Sequence, residues 1–127
     1  MHEFSIAQAL VEAAVTEAGR HGASRVLKVT CRIGALRQVD GWLMHEAFTI
    51  AREGTICSAC NLAIEMAYMQ AMCPACNVRF PVRNWEWRCP ACGANGESPM
   101  GGDELELLSI ELELPDGDHR PEECVRA

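Results

Sequence analysis

The chain has 127 residues, 49% of them hydrophobic, and a net charge of −7. It has no apolar run near the ~20 residues a membrane-spanning helix needs, no signal-peptide start, and too little basic charge for nucleic acid as its main partner, so the expectation is a soluble, unexported, cytoplasmic protein of one domain with at most a small insertion. Eight cysteines in such a chain are unusual, and in a reducing compartment closely paired cysteines more often bind metal than form disulfides.

Residues 5–20 predict the first helix. Ser5 and Gln8 have the spacing of a capping box, Leu10, Val11, Ala14, Val15 and Ala18 form one apolar face, and Gly22 supplies a stop. Residues 25–34 alternate, with Leu27, Val29, Cys31 and Ile33 on one side and Lys28, Thr30 and Arg32 on the other. That pattern is a strand with one buried face, and it makes Cys31 a buried, inert thiol. Residues 40–53 predict a second helix capped by Asp40. Leu43, Met44, Ala47, Phe48 and Ala51 face the core there, Gly54 ends the helix, and His45 and Glu46 are read as solvated.

Residues 62–69 read as a strand with Leu62, Ile64, Met66 and Tyr68 on one side. Residues 104–114 return to strand, and their apolar phase shifts between Leu107 and Leu108, the mark of a bulge. The polar end, residues 116–127, reads as a flexible tail in which His119 and Cys124 are bystanders. The order predicts an α+β fold, two helices on a three-stranded sheet, with a zinc-ribbon-like module inserted. Its divisions are residues 1–70 with 104–115 as one domain and 71–103 as the module.

The module carries the clearest chemistry. Three CxxC pairs occur, Cys57/Cys60, Cys73/Cys76 and Cys89/Cys92, with 12 residues between each pair and the next, so spacing alone does not say which two share a metal. Local sequence does better. Cys73-Pro-Ala-Cys76-Asn77 and Cys89-Pro-Ala-Cys92-Gly93 are matched knuckles, each followed by a residue that tolerates positive φ. Phe80, Val82, Trp85 and Trp87 between them suit a small hairpin over the site. Four thiolates fit tetrahedral Zn(II) and leave no open position, so the zinc is structural. Metal binding then supplies much of the folding free energy of so small a module. Cys57/Cys60 stands apart, read as incidental or weakly redox-sensitive thiols ahead of a metal role.

The first residues, MHEFS, raise a second metal question. Polar residues at a fraying end often mean nothing. With Met1 retained, however, an α-amine, the backbone nitrogens of His2 and Glu3 and the His2 imidazole lie within reach of one ion. Four nitrogens in a plane suit Ni(II) or Cu(II). The Glu3 carboxylate adds a ligand or tunes the site, and ligands on a mobile end suit a carrier that releases its ion.

MHEFSIAQALVEAA, VTCRIGALRQVD, AFTIAREGT, the two CPAC knuckles and DELELLSIELE, in that order, resemble the HypA/HybF family of hydrogenase nickel-incorporation proteins over roughly residues 1–114. The resemblance implies a nickel metallochaperone for [NiFe]-hydrogenase maturation, not an enzyme. It implies Met1, His2 and Glu3 as nickel ligands, with Asp40 as a further acidic residue that also has its role as a helix cap. It assigns the zinc to Cys73, Cys76, Cys89 and Cys92, and it implies the HypB GTPase and the hydrogenase large subunit precursor as partners. Cys57/Cys60 departs from the family pattern, and a homodimer sharing thiolates is compatible with it. The alternatives are a zinc-ribbon regulatory or nucleic-acid-binding protein, disfavoured by a net charge of only +1 over residues 71–102, and a thiol-disulfide oxidoreductase, disfavoured because no CxxC clearly opens a helix.

Overall fold

A computed structural model describes residues 2–123. The elements run α1 (His2–Arg20), β1 (Arg25–Gly34), a single 3-10 turn (Ala35–Arg37), α2 (Gly41–Ala51), β2 (Asn61–Ala67), β3 (Gln70–Met72), β4 (Arg79–Pro81), β5 (Glu97–Met100), β6 (Leu105–Glu113) and β7 (His119–Glu123). No helix among the described residues is long and apolar enough to cross a membrane. The chain divides into two compact units, Met1–Arg32 with Val39–Glu65 and Leu105–Ala127, and Ile33–Gln38 with Met66–Glu104.

In the first unit α1 packs on α2 and on β6. Helical spacing buries Ile6, Ala7, Leu10, Val11, Ala14 and Ala18 of α1, and Met44, Ala47 and Phe48 of α2. Leu43, predicted to face the core, is instead 41% exposed. Helix α1 starts at His2, three residues before its predicted cap, so Ser5 lies in its first turn and its hydroxyl donates to the His2 carbonyl at 3.0 Å. Its other end follows the sequence. Ala23 N–H donates to the Ala18 carbonyl (3.1 Å), Gly22 N–H donates to that of Gly19 (3.3 Å), and Gly22 takes φ +65°. This is a Schellman closure, which a glycine completes without steric strain.

Strand β1 buries Val29, Cys31 and Ile33 of the apolar face its alternation predicts, but Leu27 of that face is only half-buried, and Val26 beside it is buried instead. The sheet has four strands, in the order β2-β1-β6-β7, where three were predicted. The added strand comes from the stretch read as a tail. Asp116 Oδ1 accepts from Asp118 N–H (3.0 Å), Gly117 takes φ +87°, and β7 pairs antiparallel with β6 from Glu113↔His119 to Ser109↔Glu123. Pro121 is the one apolar residue of strand β7 (HRPEE), so no alternation announces it. Along β6, Leu107, Leu108 and Ser109 are half-buried in succession, so the alternation of burial lapses where the apolar phase shifts in sequence. Arg25 grips Glu113 through two bonds of 3.1 Å, and Arg32 reaches Glu65 (2.8 Å) and Glu106 (3.2 Å), tying β1 to both of its neighbours.

The strand predicted over residues 62–69 forms as β2, starting one residue earlier and ending two residues sooner. Strand β2 ends at Ala67, and β3 opens a second, three-stranded sheet of order β4-β3-β5. Its core is Ala71, Cys73, Phe80, Val82 and Cys89, with Met69, Trp87 and Ala94 packed against it. Trp85, predicted to cover this core, is 68% exposed instead. It sits at the tip of the turn 83–86, where Asn84 and Trp85 both take positive φ and Glu86 N–H donates to the Arg83 carbonyl at 3.0 Å.

Candidate metal centres

The two knuckles fold alike, bond for bond. Cys73 N–H donates to the Val78 carbonyl (2.9 Å) and Asn77 N–H to the Cys73 carbonyl (2.8 Å). Cys89 N–H donates to the Ala94 carbonyl (2.8 Å) and Gly93 N–H to the Cys89 carbonyl (2.8 Å). Each turn closes through a left-handed residue, Asn77 at φ +58° and Gly93 at φ +80°, as the sequence of each knuckle predicts.

This repeat brings the ligating sulfurs of Cys73, Cys76, Cys89 and Cys92 within 4.8 Å of one another. Cys73 and Cys89 are buried, and Cys76 and Cys92 are at the surface. A tetrahedral zinc with Zn–S bonds of about 2.3 Å requires sulfurs roughly 3.8 Å apart, and Cys73 Sγ lies 3.4 Å from Cys92 Sγ. Electrostatics point the same way. The Cys76 backbone N–H, which donates to Cys73 Sγ at 3.2 Å, is the main cause that draws the Cys73 thiol down to about 7. Hydrogen bonding with Cys92 and then Cys73 pushes Cys76 up to about 12. Crowded thiols resist further ionisation, so four thiolates coexist here when a dication neutralises them. The residues present fit zinc.

At the other candidate centre, Glu3 is half-buried and His2 exposed on the first turn of α1. The Glu3 carboxylate accepts from the Asp40 backbone N–H at 3.2 Å. The Asp40 carboxylate in turn caps α2, accepting from Leu43 N–H at 3.0 Å. The structure thus joins Glu3 to Asp40 at one end of the helix pair. Met1 lies outside the described residues. Among the described residues, the four module cysteines are the one group of three or more ligating side chains whose atoms converge.

His45 is exposed, as its solvated reading has it, but its ring also meets two backbone carbonyls. Its Nδ1 faces the Gly41 carbonyl at 3.0 Å and its Nε2 the Leu62 carbonyl at 3.2 Å, so one ring links α2 to β2. Nothing in the pattern of α2 signals this, because the second contact comes from another element. Cys31 is fully buried, and burial pushes its thiol up to about 12, in keeping with an inert role.

Fold and sites together define a metal-binding α+β protein with a closed thiolate centre. The family model described as hydrogenase/urease nickel incorporation, metallochaperone, HypA, matches residues 1–112. The hydrogenase maturation factor HypA of Nitrosospira multiformis is 38% identical over 112 residues, covering 88% of this chain and 97% of that one. The HypA of Aquifex aeolicus is 32% identical over 114 residues, covering 90% and 99%. A solution structure of the nickel metallochaperone HypA from Helicobacter pylori superposes with a TM-score of 0.60 at 26% identity, over 88% of this chain and 97% of that one. The chain belongs to the HypA family of nickel-incorporation metallochaperones. Its work is therefore metal handling in the maturation of other proteins rather than catalysis.

Proposed function

We propose that this chain carries Ni(II) at its N-terminal end. The donors are the Met1 α-amine, the backbone nitrogens of His2 and Glu3, the His2 imidazole and the Glu3 carboxylate, with Asp40 as an accessory oxygen donor. Nickel is cargo and zinc is the resident ion. The observation that carries this reading is the bond from Asp40 N–H to Glu3 at 3.2 Å, which fastens the first turn of α1 to the start of α2 and leaves His2 exposed beside it.

The chemistry suits a carrier. Nitrogen donors in a plane favour Ni(II) over the harder divalent ions. Donors at a chain end detach one at a time, so release requires no disruption of the core beneath. The closed four-thiolate centre offers nickel no open position and holds the second unit in shape. The acceptor in this reading is the hydrogenase large subunit precursor, with the HypB GTPase as the partner in delivery, and the site of work is the cytoplasm.

Titration of the zinc-loaded, untagged protein with Ni(II), followed optically, tests the donor set. Nitrogen ligation gives a weak ligand-field band that saturates with nickel. A strong thiolate-to-nickel charge-transfer band would instead place the nickel on cysteine and overturn the reading.

A further inference from the structure

The second unit holds a cavity of about 250 Å³ whose lining includes Leu36, Gln38, Tyr68, Met69, Asn84 and Trp85. Backbone bonds fix its walls. Leu36 N–H donates to the Gly102 carbonyl (2.7 Å), Gln38 N–H to that of Ala35 (3.1 Å) and Val82 N–H to that of Met69 (2.7 Å). Leu36 and Trp85 are both exposed, so the rim presents apolar surface to water.

The turn that presents Trp85 is strained. Residues 83–86 close through Glu86 N–H and the Arg83 carbonyl at 3.0 Å, and both central residues are left-handed, Asn84 at φ +53° and Trp85 at φ +59°. This is the backbone of a type I′ hairpin turn, whose second central position favours glycine because a Cβ there is crowded. A bulky aromatic residue suits that backbone poorly, and Trp85 gains no burial in return. Strain kept without a packing gain marks a position held for binding.

Charge beside the cavity narrows the occupant. The Arg83 guanidinium stands over the Tyr68 ring, 4.6 Å from its centroid. Arg88 has Glu86 at 3.6 Å and Arg79 donates to the Ser98 carbonyl at 3.4 Å, whereas among the described residues no carboxylate pairs with Arg83. Residues 71–102 carry a net charge of +1 in a chain of −7, so a negatively charged segment meets its least repulsion here. The cavity is smaller than the roughly 300–1,000 Å³ of small-molecule sites, and it suits one large side chain. The amides of Gln38 and Asn84 offer donors and acceptors to the backbone that carries that side chain.

We propose that this cavity docks an extended acidic segment of a partner protein, which seats one aromatic side chain against Tyr68 and Trp85 and sets a neighbouring carboxylate on Arg83. The aromatic anchor supplies most of the affinity and the charge pair fixes the register. The proposal stands apart from the nickel reading, because no residue of the cavity is a nickel or zinc donor.

Selection of a display library of random linear peptides on the zinc-loaded full chain tests it. The enriched peptides should carry an aromatic residue with Asp or Glu beside it. Trp85→Gly should weaken their binding about tenfold or more, and Arg83→Gln should remove most of its salt dependence. Glycine relieves the turn, so the denaturant midpoint of Trp85→Gly should stay at or above that of wild type. Three results would overturn the proposal: no enrichment of acidic-aromatic sequences, enriched peptides that bind Trp85→Gly as tightly as wild type, or a lowered midpoint that makes Trp85 a packing residue. A dimer seen by sedimentation in wild type and lost in Trp85→Gly would give the cavity to a second copy of the chain and overturn it as well.

Discussion

At the scale of single residues, Asp40 carries two assignments that mutation separates. Its carboxylate caps α2 through Leu43 N–H, and its backbone N–H holds Glu3. Asp40→Ala removes the cap and should cost about 1 kcal/mol of stability, read from the denaturant midpoint. Asp40→Asn keeps the cap, so its stability should stay near wild type. Under the proposed donor set, nickel affinity, measured by calorimetry, should fall in both variants because each loses the Asp40 carboxylate. The cap was legible in sequence, since an aspartate directly before an apolar periodic run is a local signal. The double contact of His45 was not, because it depends on where Leu62 lies in the fold.

Cys31 gives a pH prediction. Burial raises its pKa to about 12 in the folded chain, against about 8.5 when unfolded. The folded state therefore keeps a proton that the unfolded state releases. The stability from this group is fully present below pH ~8 and is lost as pH rises from there toward 12. Denaturant midpoints of wild type should fall more steeply across that alkaline range than those of Cys31→Ala. Equal slopes would contradict a buried, neutral thiol.

At the scale of elements, the knuckles show how far local sequence reaches. CPACN and CPACG foretold left-handed residues at Asn77 and Gly93, and both have positive φ. Asn77→Ala forces a Cβ-bearing, non-Asn residue into that region at about 1 kcal/mol, whereas Asn77→Gly does not. Zinc should pass to a competing chelator faster from Asn77→Ala than from Asn77→Gly. Close packing sets a further constraint. A Cβ on Gly96 would lie 2.6 Å from Phe80 Cζ and 2.9 Å from the Ala71 Cβ. Gly96→Ala should destabilise the module by roughly 1–3 kcal/mol, measured as a lower midpoint for loss of its tryptophan signal.

What sequence missed at this scale was structure without apolar periodicity. Strand β7 is polar apart from Pro121 and is held by backbone pairing to β6 and by the Asp116 turn. The Pro115-Asp116-Gly117 stretch was its one local sign, a turn signal set between strands. Ser5 had the right residue type for a cap but lost the position to a helix that begins at His2. Trp85 looked like core by composition, yet the Asn84–Trp85 turn carries it outward.

At the scale of the whole molecule, the two units rest on different sources of stability. The first has a core drawn from two helices and a four-stranded sheet. The second has a five-residue buried cluster, two members of which are cysteines of the thiolate centre. Chelation of zinc should therefore unfold the second unit selectively. Hydrogen exchange should show protection lost in β3, β4 and β5 while α1 and α2 stay protected. Loss of protection throughout would mean that the first unit depends on the metal as well.

The central claim is that nickel is carried at the N-terminal end while zinc stays with the cysteines. Elemental analysis of untagged protein with its native N-terminus, after nickel loading and desalting, tests it most directly when wild type is set beside His2→Ala. The account predicts one zinc in both proteins and bound nickel in wild type alone. Equal nickel in the two would contradict it and would shift the search for the nickel ligands to the cysteines, Cys57 and Cys60 first.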